Sequence, residues 1–469
     1  MMRRAGFVLI AFLVGSCSTS GGPATSASAD AVTFKPGADG AGDPYFPTYG
    51  NGGYDVAGYD LNLRYDPKNG HLAGTATITA VATQNLSRFD FDLAKLAASR
   101  VTVDGKTATA KSAGNELVVT PAAGIRTGTP FTVVVDYAGT PGQLANKTLG
   151  DGGWLRTDAG AVALGQPESA STWYPVNDHP SDKATFKLAM TVPDGLEAIS
   201  IGVPGRTTTA DGWTTWRWTE NAPLASYLST VVIGQYRITT GTHDGKPMVT
   251  AVPESVPADG AAAKSVARTG EIADFLAKQF GPYPFDAYGG IVVEDERIRY
   301  ALETQSRPAY GQAFFEGGEN SSVVAHELAH QWFGDSVALE KWQDIWLNEG
   351  FATYAEWLWL EHDDDVAVQA SFDRTYNSFN WKLAPGNPGV AKLFGTAVYD
   401  RGGMTVYALR KTIGDKAFGT LLTTWTSEHR NGNADTADLI ALAEKISGKD
   451  LGGFFQAWLY GTTKPSLTY

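Results

Sequence analysis

The sequence predicts an α+β chain in two large parts, an N-terminal antiparallel β-sandwich followed by a mainly α-helical domain. Three observations predict it. Between residues 54 and 238, short apolar/polar alternations recur between Gly, Pro, Asn and Asp clusters, with no helical period among them. From about residue 257 the apolar spacing becomes helical, and past residue 318 it stays so almost to the end. The 469 residues are 43% apolar and 11% aromatic with 13 Trp, enough to bury a large core, which excludes general disorder.

The elements follow in order. Arg3 and Arg4 precede an apolar stretch over residues 5–15, too short to span a bilayer and laid out like a secretory signal. It ends Val14-Gly15-Ser16-Cys17, which resembles a bacterial lipobox, so residues 1–17 are expected to be a signal peptide with lipid attached to Cys17. That implies a lipid anchor to the membrane and an extracytoplasmic location; with the Cys incidental, the same signal implies a secreted protein. Cys17 is the only cysteine, so no internal disulfide, zinc ribbon or iron–sulfur cluster is possible. Residues 18–43 are rich in Ser, Thr, Ala, Gly and Pro and read as a flexible tether. No later segment reaches about 18 unbroken apolar residues. Lys and Arg number 37 against 50 acids, and a net charge of −13 argues against nucleic acid as a partner.

Strands are expected at residues 60–65, 75–81, 89–93, 116–120, 131–137, 185–192, 213–218 and 227–238, giving a sandwich over residues 44–253. Residues 254–469 form the second domain. It opens with one helix at 261–280, stopped by Gly281-Pro282, and one strand at 289–294.

The strongest chemical signal is Ala325-His326-Glu327-Leu328-Ala329-His330. A Ser at 321 or 322 can cap this segment and Gly334 can end it, so it is expected to be one helix. His326 and His330, at i and i+4, then share a face and can ligate one zinc ion. Glu327 flanks the metal without binding it, which suits a general base acting on an activated water. Glu349, 19 positions after His330 and near the start of a second helix, supplies a third ligand. Two imidazoles and one carboxylate leave a position open, the catalytic type of zinc site.

The stretch from His326 to Ala352 resembles the aminopeptidase N family of zinc gluzincins, which also contains leukotriene hydrolase. Three further segments are similar to that family. They are Leu164-Gly165-Gln166-Pro167-Glu168, Ala301-Leu302-Glu303-Thr304-Gln305 and Val398-Tyr399-Asp400-Arg401-Gly402. The resemblance implies a thermolysin-like peptidase domain at 254–469, one Zn²⁺ per chain, and release of N-terminal residues from peptides with a free N-terminus. It implies Tyr399 as the oxyanion donor, and Glu303 and Glu168, with Gln166 beside them, as anchors of the substrate's α-amine. The chain departs from the family pattern at Tyr300, where Gly is usual, and at Thr304, where Asn is usual. Asp335 and Arg401 stand where Asn and Lys are common. Its ending soon after Tyr460 gives the expectation of a more open cleft. Asp344 is a candidate second-layer partner for a metal-binding His, with helix capping as its alternative, and His179 reads as structural.

Two other readings use the same residues. A surface lipoprotein that only captures peptides would need neither Glu327 nor Tyr399. An epoxide hydrolase would need basic residues from a further C-terminal domain.

Overall fold

A computed structural model describes residues 32–144, 148–158 and 160–467. The expected signal segment, Cys17 and residues 18–31 of the expected tether lie outside the described residues. Phe34–Tyr469 forms one unit.

Alternation builds the N-terminal half. In Tyr54–Asp66, Val56, Tyr59, Leu61, Leu63 and Tyr65 are buried while Asp55, Asp60, Asn62 and Arg64 face solvent. The phase slips by one residue between Val56 and Gly58, where the register with His71–Ala82 shifts. A bulge there lets both ends of a long strand keep their apolar side inward.

This strand is central to a nine-stranded sheet. Its order runs Val203–Pro204, Trp213–Ala225, Lys183–Pro193, Tyr54–Asp66, His71–Ala82, Pro130–Gly139, Ala97–Val103 and Lys106–Thr107, with Thr208–Ala210 also on Trp213–Ala225. A four-stranded sheet packs on it through aromatic edges: Tyr54 lies 5.5 Å from Phe91, and Phe89 lies 5.3 Å from Phe131. A second four-stranded sheet contacts it where Tyr65 meets Trp154 at 4.9 Å.

The sandwich is not wholly antiparallel. Lys183–Pro193 runs parallel to Tyr54–Asp66, and Lys35–Pro36 parallel to Leu86–Asp92. A parallel pair needs a long crossover, and the intervening sheets supply it for the first.

Residues 35–43 of the expected tether are held in the fold. Lys35–Pro36 is already paired, and the buried Asp43 carboxylate accepts from the backbone N–H groups of Tyr45, Phe46 and Trp342 at 2.7, 3.0 and 2.8 Å. A boundary at residue 253 also fails. Tyr236–His243 and Lys246–Pro253 join Tyr288–Val293, Ala309–Gly311 and Ala301–Leu302 in one five-stranded sheet. Lys246–Pro253 pairs directly with Tyr288–Val293. Both strands thus belong to a sheet that continues past residue 253.

The expected single helix at 261–280 is two, α1 (Ala261–Ala267) and α2 (Thr269–Phe280), broken at Arg268. Beyond it lie α3 (Ser321–Ala329), α4 (Trp346–Asp364), α5 (Val368–Ser378), α6 (Gly402–Ile413) and α7 (Asp415–Glu428), followed by two further α-helices, Thr436–Ser447 and Gly452–Phe455. The N-terminal half is β-sheet and the C-terminal part helical, as the periodicities require. Among the described residues no helix is long and apolar enough to cross a membrane.

Candidate metal centre and active site

Helix α3 carries the two histidines. Its cap is Asn320 rather than a Ser, with the Asn320 side chain accepting from the Val323 N–H at 3.2 Å. The helix ends at Ala329, five residues before Gly334. The chain then widens: the N–H groups of Asp335, Ser336 and Val337 bond to the carbonyls of His330, Gln331 and Trp332. Gly334 is needed at this turn, because its φ is 126° and a Cβ there would lie 2.9 Å from Asn348 Nδ2.

Helix α4 runs beside α3 and brings Glu349 to the histidines. Glu349 Oε2 lies 3.4 Å from Nε2 of both His326 and His330. Tetrahedral zinc with bonds of about 2.0–2.1 Å has ligand atoms about 3.3 Å apart. The three donors therefore fit one zinc ion by spacing and by chemical type, and all lie within 4.8 Å of one another. The electrostatics agree. Burial raises the Glu349 carboxyl, but His330 and His326 outweigh it and hold it at about 2. Burial lowers the His330 imidazole, and Glu303 and Glu349 outweigh that and raise it to about 9. The pocket stabilises positive charge at the histidines, which is the charge a divalent ion supplies.

The second layer differs from expectation. Asp344 hydrogen-bonds Thr436 Oγ1 at 2.5 Å and neither caps α4 nor touches a histidine. His326 Nδ1 instead faces Glu356 Oε2 at 3.5 Å, and His330 Nδ1 meets the Phe333 carbonyl at 3.0 Å. Glu356 lies two helical turns beyond Glu349, a spacing that could have flagged it. The Phe333 contact depends on the widened turn and has no sequence signal. His179 is structural: its ring nitrogens contact Ser181 Oγ at 2.7 Å and Asp43 Oδ2 at 3.2 Å.

Tyr399 arrives from the far side, on a π-helical turn over Ala397–Arg401 that leads into α6. Its ring stacks near His326, centroids 6.0 Å apart at 23°. The approach requires Gly350 and Gly402: a Cβ on Gly350 would sit 2.8 Å from the Gly402 carbonyl carbon. Arg401 pins the same turn. Its buried guanidinium donates to carbonyls of Trp381, Leu383, Ala457, Trp458 and Gly461.

Glu303 comes from the edge strand Ala301–Leu302 and is buried beside Glu327 and His330. Tyr227 and Gln166 both donate to its Oε1, at 3.0 and 3.3 Å. Gln331 fixes the turn below, donating to the Glu303 carbonyl at 3.1 Å and accepting from the Ser306 N–H at 2.6 Å. Burial raises the pKa of the Glu303 carboxyl and Glu349 raises it further, against the pull of His330. Burial likewise pushes Glu327 up to about 8, against His326 and His330.

His326, Glu327, His330, Glu349, Glu303, Gln166 and Tyr399 all line one cavity of about 350 Å³. Glu168 does not. It lines a separate acidic pocket with Asp92 and Glu116, where burial raises its carboxyl to about 7 and the charge of Asp178 adds to this. Its expected place at the substrate amine is thus corrected: two positions along an irregular segment, Gln166 and Glu168 turn to different pockets.

Comparisons with known proteins fit this geometry. The chain matches the peptidase M1 N-terminal domain over residues 56–228 and the peptidase family M1 domain over residues 312–458. It is 30% identical to an M1 zinc metallopeptidase from Deinococcus radiodurans, solved in a variant bound to a Tyr-Ser-Ala substrate. The superposition has a TM-score of 0.84 and covers 92% of this chain and 99% of that one. The chain belongs to peptidase family M1. Among curated M1 relatives it is 27% identical to aminopeptidase M1-B of Oryza sativa, over 85% of this chain and 49% of that one. It is 27% identical to aminopeptidase N of Streptomyces lividans, over 60% of this chain and 36% of that one. The chain thus spans between about a third and a half of the length of these curated M1 relatives, and nearly all of the Deinococcus structure.

Proposed function

We propose that this M1 chain is a zinc aminopeptidase that releases N-terminal residues from peptides. The observation that carries the reading is the convergence of an acid–amide pair, Glu303 and Gln166, with the His326, His330 and Glu349 donors around one cavity.

His326, His330 and Glu349 would hold zinc, which would supply a Lewis acid for the attacking water and the scissile carbonyl. Glu327 takes the proton of the attacking water and returns it to the leaving amine. Its carboxylate is buried in the same cavity as the metal donors, which places it to accept that proton and return it. The Tyr399 hydroxyl donates to the oxygen of the scissile carbonyl as negative charge develops there. Glu303, oriented by Tyr227 and Gln166, receives the substrate's ammonium by a charge-assisted hydrogen bond, and so sets which peptide bond lies at Glu327. The Tyr-Ser-Ala complex of the Deinococcus relative supports a peptide substrate.

The test is a panel of aminoacyl-naphthylamides assayed with and without a chelator. Hydrolysis that the chelator abolishes and added zinc restores is expected. Bound zinc without turnover of any member would instead indicate a peptide-capture protein. We also propose that lipid on Cys17 anchors the enzyme outside the cytoplasmic membrane. Cys17→Ser should then release the protein from the membrane fraction or leave it unprocessed, and a wild-type protein recovered wholly soluble would refute the anchor.

A further inference from the structure

The cleft is strongly polarised. Four carboxylates line it, those of Glu303, Glu327, Glu349 and Glu356, and they cluster about the metal donors. Apart from the two metal-donor histidines, one basic side chain lines it, Arg299. Arg299 is exposed, and among the described residues its guanidinium has no ion pair and no hydrogen bond. Nearby arginines differ. Arg297 is bound to Asp295 and to the Arg156 carbonyl, and Arg307 is buried and donates to the carbonyls of Ser200, Gly202 and Val249. Arg299 is thus a free five-donor fork opening onto the cavity, and the one charged lining side chain outside the metal donors that is not an acid.

Its distance from the amine anchor is bounded by the chain. Arg299 lies four residues before Glu303, so their Cα atoms are at most about 14 Å apart. The segment between is held. Tyr300 donates its hydroxyl to the Asp151 carbonyl at 2.9 Å, and Ala301 pairs with Tyr310. An extended tripeptide spans about 10 Å from amine to carboxylate. A short peptide with its amine at Glu303 therefore places its carboxylate within reach of the long Arg299 side chain. A planar guanidinium matches a carboxylate in bidentate geometry.

Building on the aminopeptidase reading, we propose that Arg299 recognises a carboxylate of the bound peptide, so that the cleft selects short peptides of matching charge. That carboxylate is either the C-terminus of a di- or tripeptide or an acidic side chain.

The experiment is a calorimetric titration of the zinc-loaded Glu327→Gln protein, which separates binding from turnover. Three peptides are compared: Ala-Ala-Ala as free acid, Ala-Ala-Ala amide and Ala-Glu-Ala amide. The expected result is that at least one carboxylate-bearing peptide binds about tenfold tighter than Ala-Ala-Ala amide. That preference should fall to within about twofold when Arg299→Met is added, and survive in part with Arg299→Lys. Preference for the free acid assigns the C-terminus, and preference for Ala-Glu-Ala amide assigns a side chain. Equal binding of all three peptides, or a preference that Arg299→Met leaves intact, overturns the proposal. Turnover of alanyl-naphthylamide, which carries no carboxylate, tests the aminopeptidase reading separately.

Discussion

Tyr399 shows how one side chain reaches a site built by other elements. Its hydroxyl has no hydrogen-bond partner among the described residues, while its ring stacks near His326. Burial and the charges of Glu349, Glu327 and Glu303 raise its pKa well above the usual phenol value, so it stays a donor. Tyr399→Phe removes the hydroxyl and leaves the stacking. Turnover should fall by about 10²–10³ while the Michaelis constant barely moves. Steady-state kinetics on one aminoacyl-naphthylamide checks this, and an unchanged turnover number would return Tyr399 to a packing role. Residue by residue, the legible part of the site was the part set by local spacing. His326, Glu327 and His330 sit within one helical turn and a third, so their mutual placement follows from helix geometry alone. Glu168 was misplaced because it lies beyond the strand Ala161–Leu164, where no period fixes side-chain direction. Tyr227, which orients Glu303, comes from a short 3₁₀ turn with no signal in the sequence.

At the scale of elements, the site depends on α4 meeting the turn before α6. Gly350 follows the ligand Glu349 and faces Gly402. In most helices Gly→Ala stabilises, by up to about 1 kcal/mol. Here the added Cβ would meet backbone at 2.8 Å, so Gly350→Ala should instead destabilise by about 1–3 kcal/mol and lower turnover by shifting Tyr399. Gly419 in α7 has nothing within 4 Å of its would-be Cβ, and Gly419→Ala serves as the control, neutral or stabilising. Thermal melts of both variants check the pair. A Gly350→Ala protein as stable and active as wild type would show that this close approach is not required. The strands and most of the helices were legible because their apolar periods are local. Less legible were features made by distant partners: the break at Arg268, the parallel pairing of Lys183–Pro193 and the early end of α3.

Across the whole molecule, the two halves share the site. The N-terminal half sends Gln166 and Tyr227 to Glu303, and Lys183 donates to the carbonyls of Asp335 and Ser336 just beyond the metal helix. Asp43 accepts from the Trp342 N–H, just ahead of α4, and so ties the start of the N-terminal half to the helical part. Such contacts join residues far apart in the chain, which is why neither the end of the tether nor the domain boundary could be read from composition. They also make the amine anchor a property of both halves. On the proposed function, this anchor makes the cleft an exopeptidase site. It is tested by incubating one peptide, free and N-acetylated, with the zinc-loaded enzyme and reading the products by mass spectrometry. The free peptide should lose residues one at a time from its N-terminus, and the acetylated peptide, lacking the charge that Glu303 receives, should be cleaved at least about tenfold more slowly. Equal cleavage of the two, or cuts within the chain, would contradict the account.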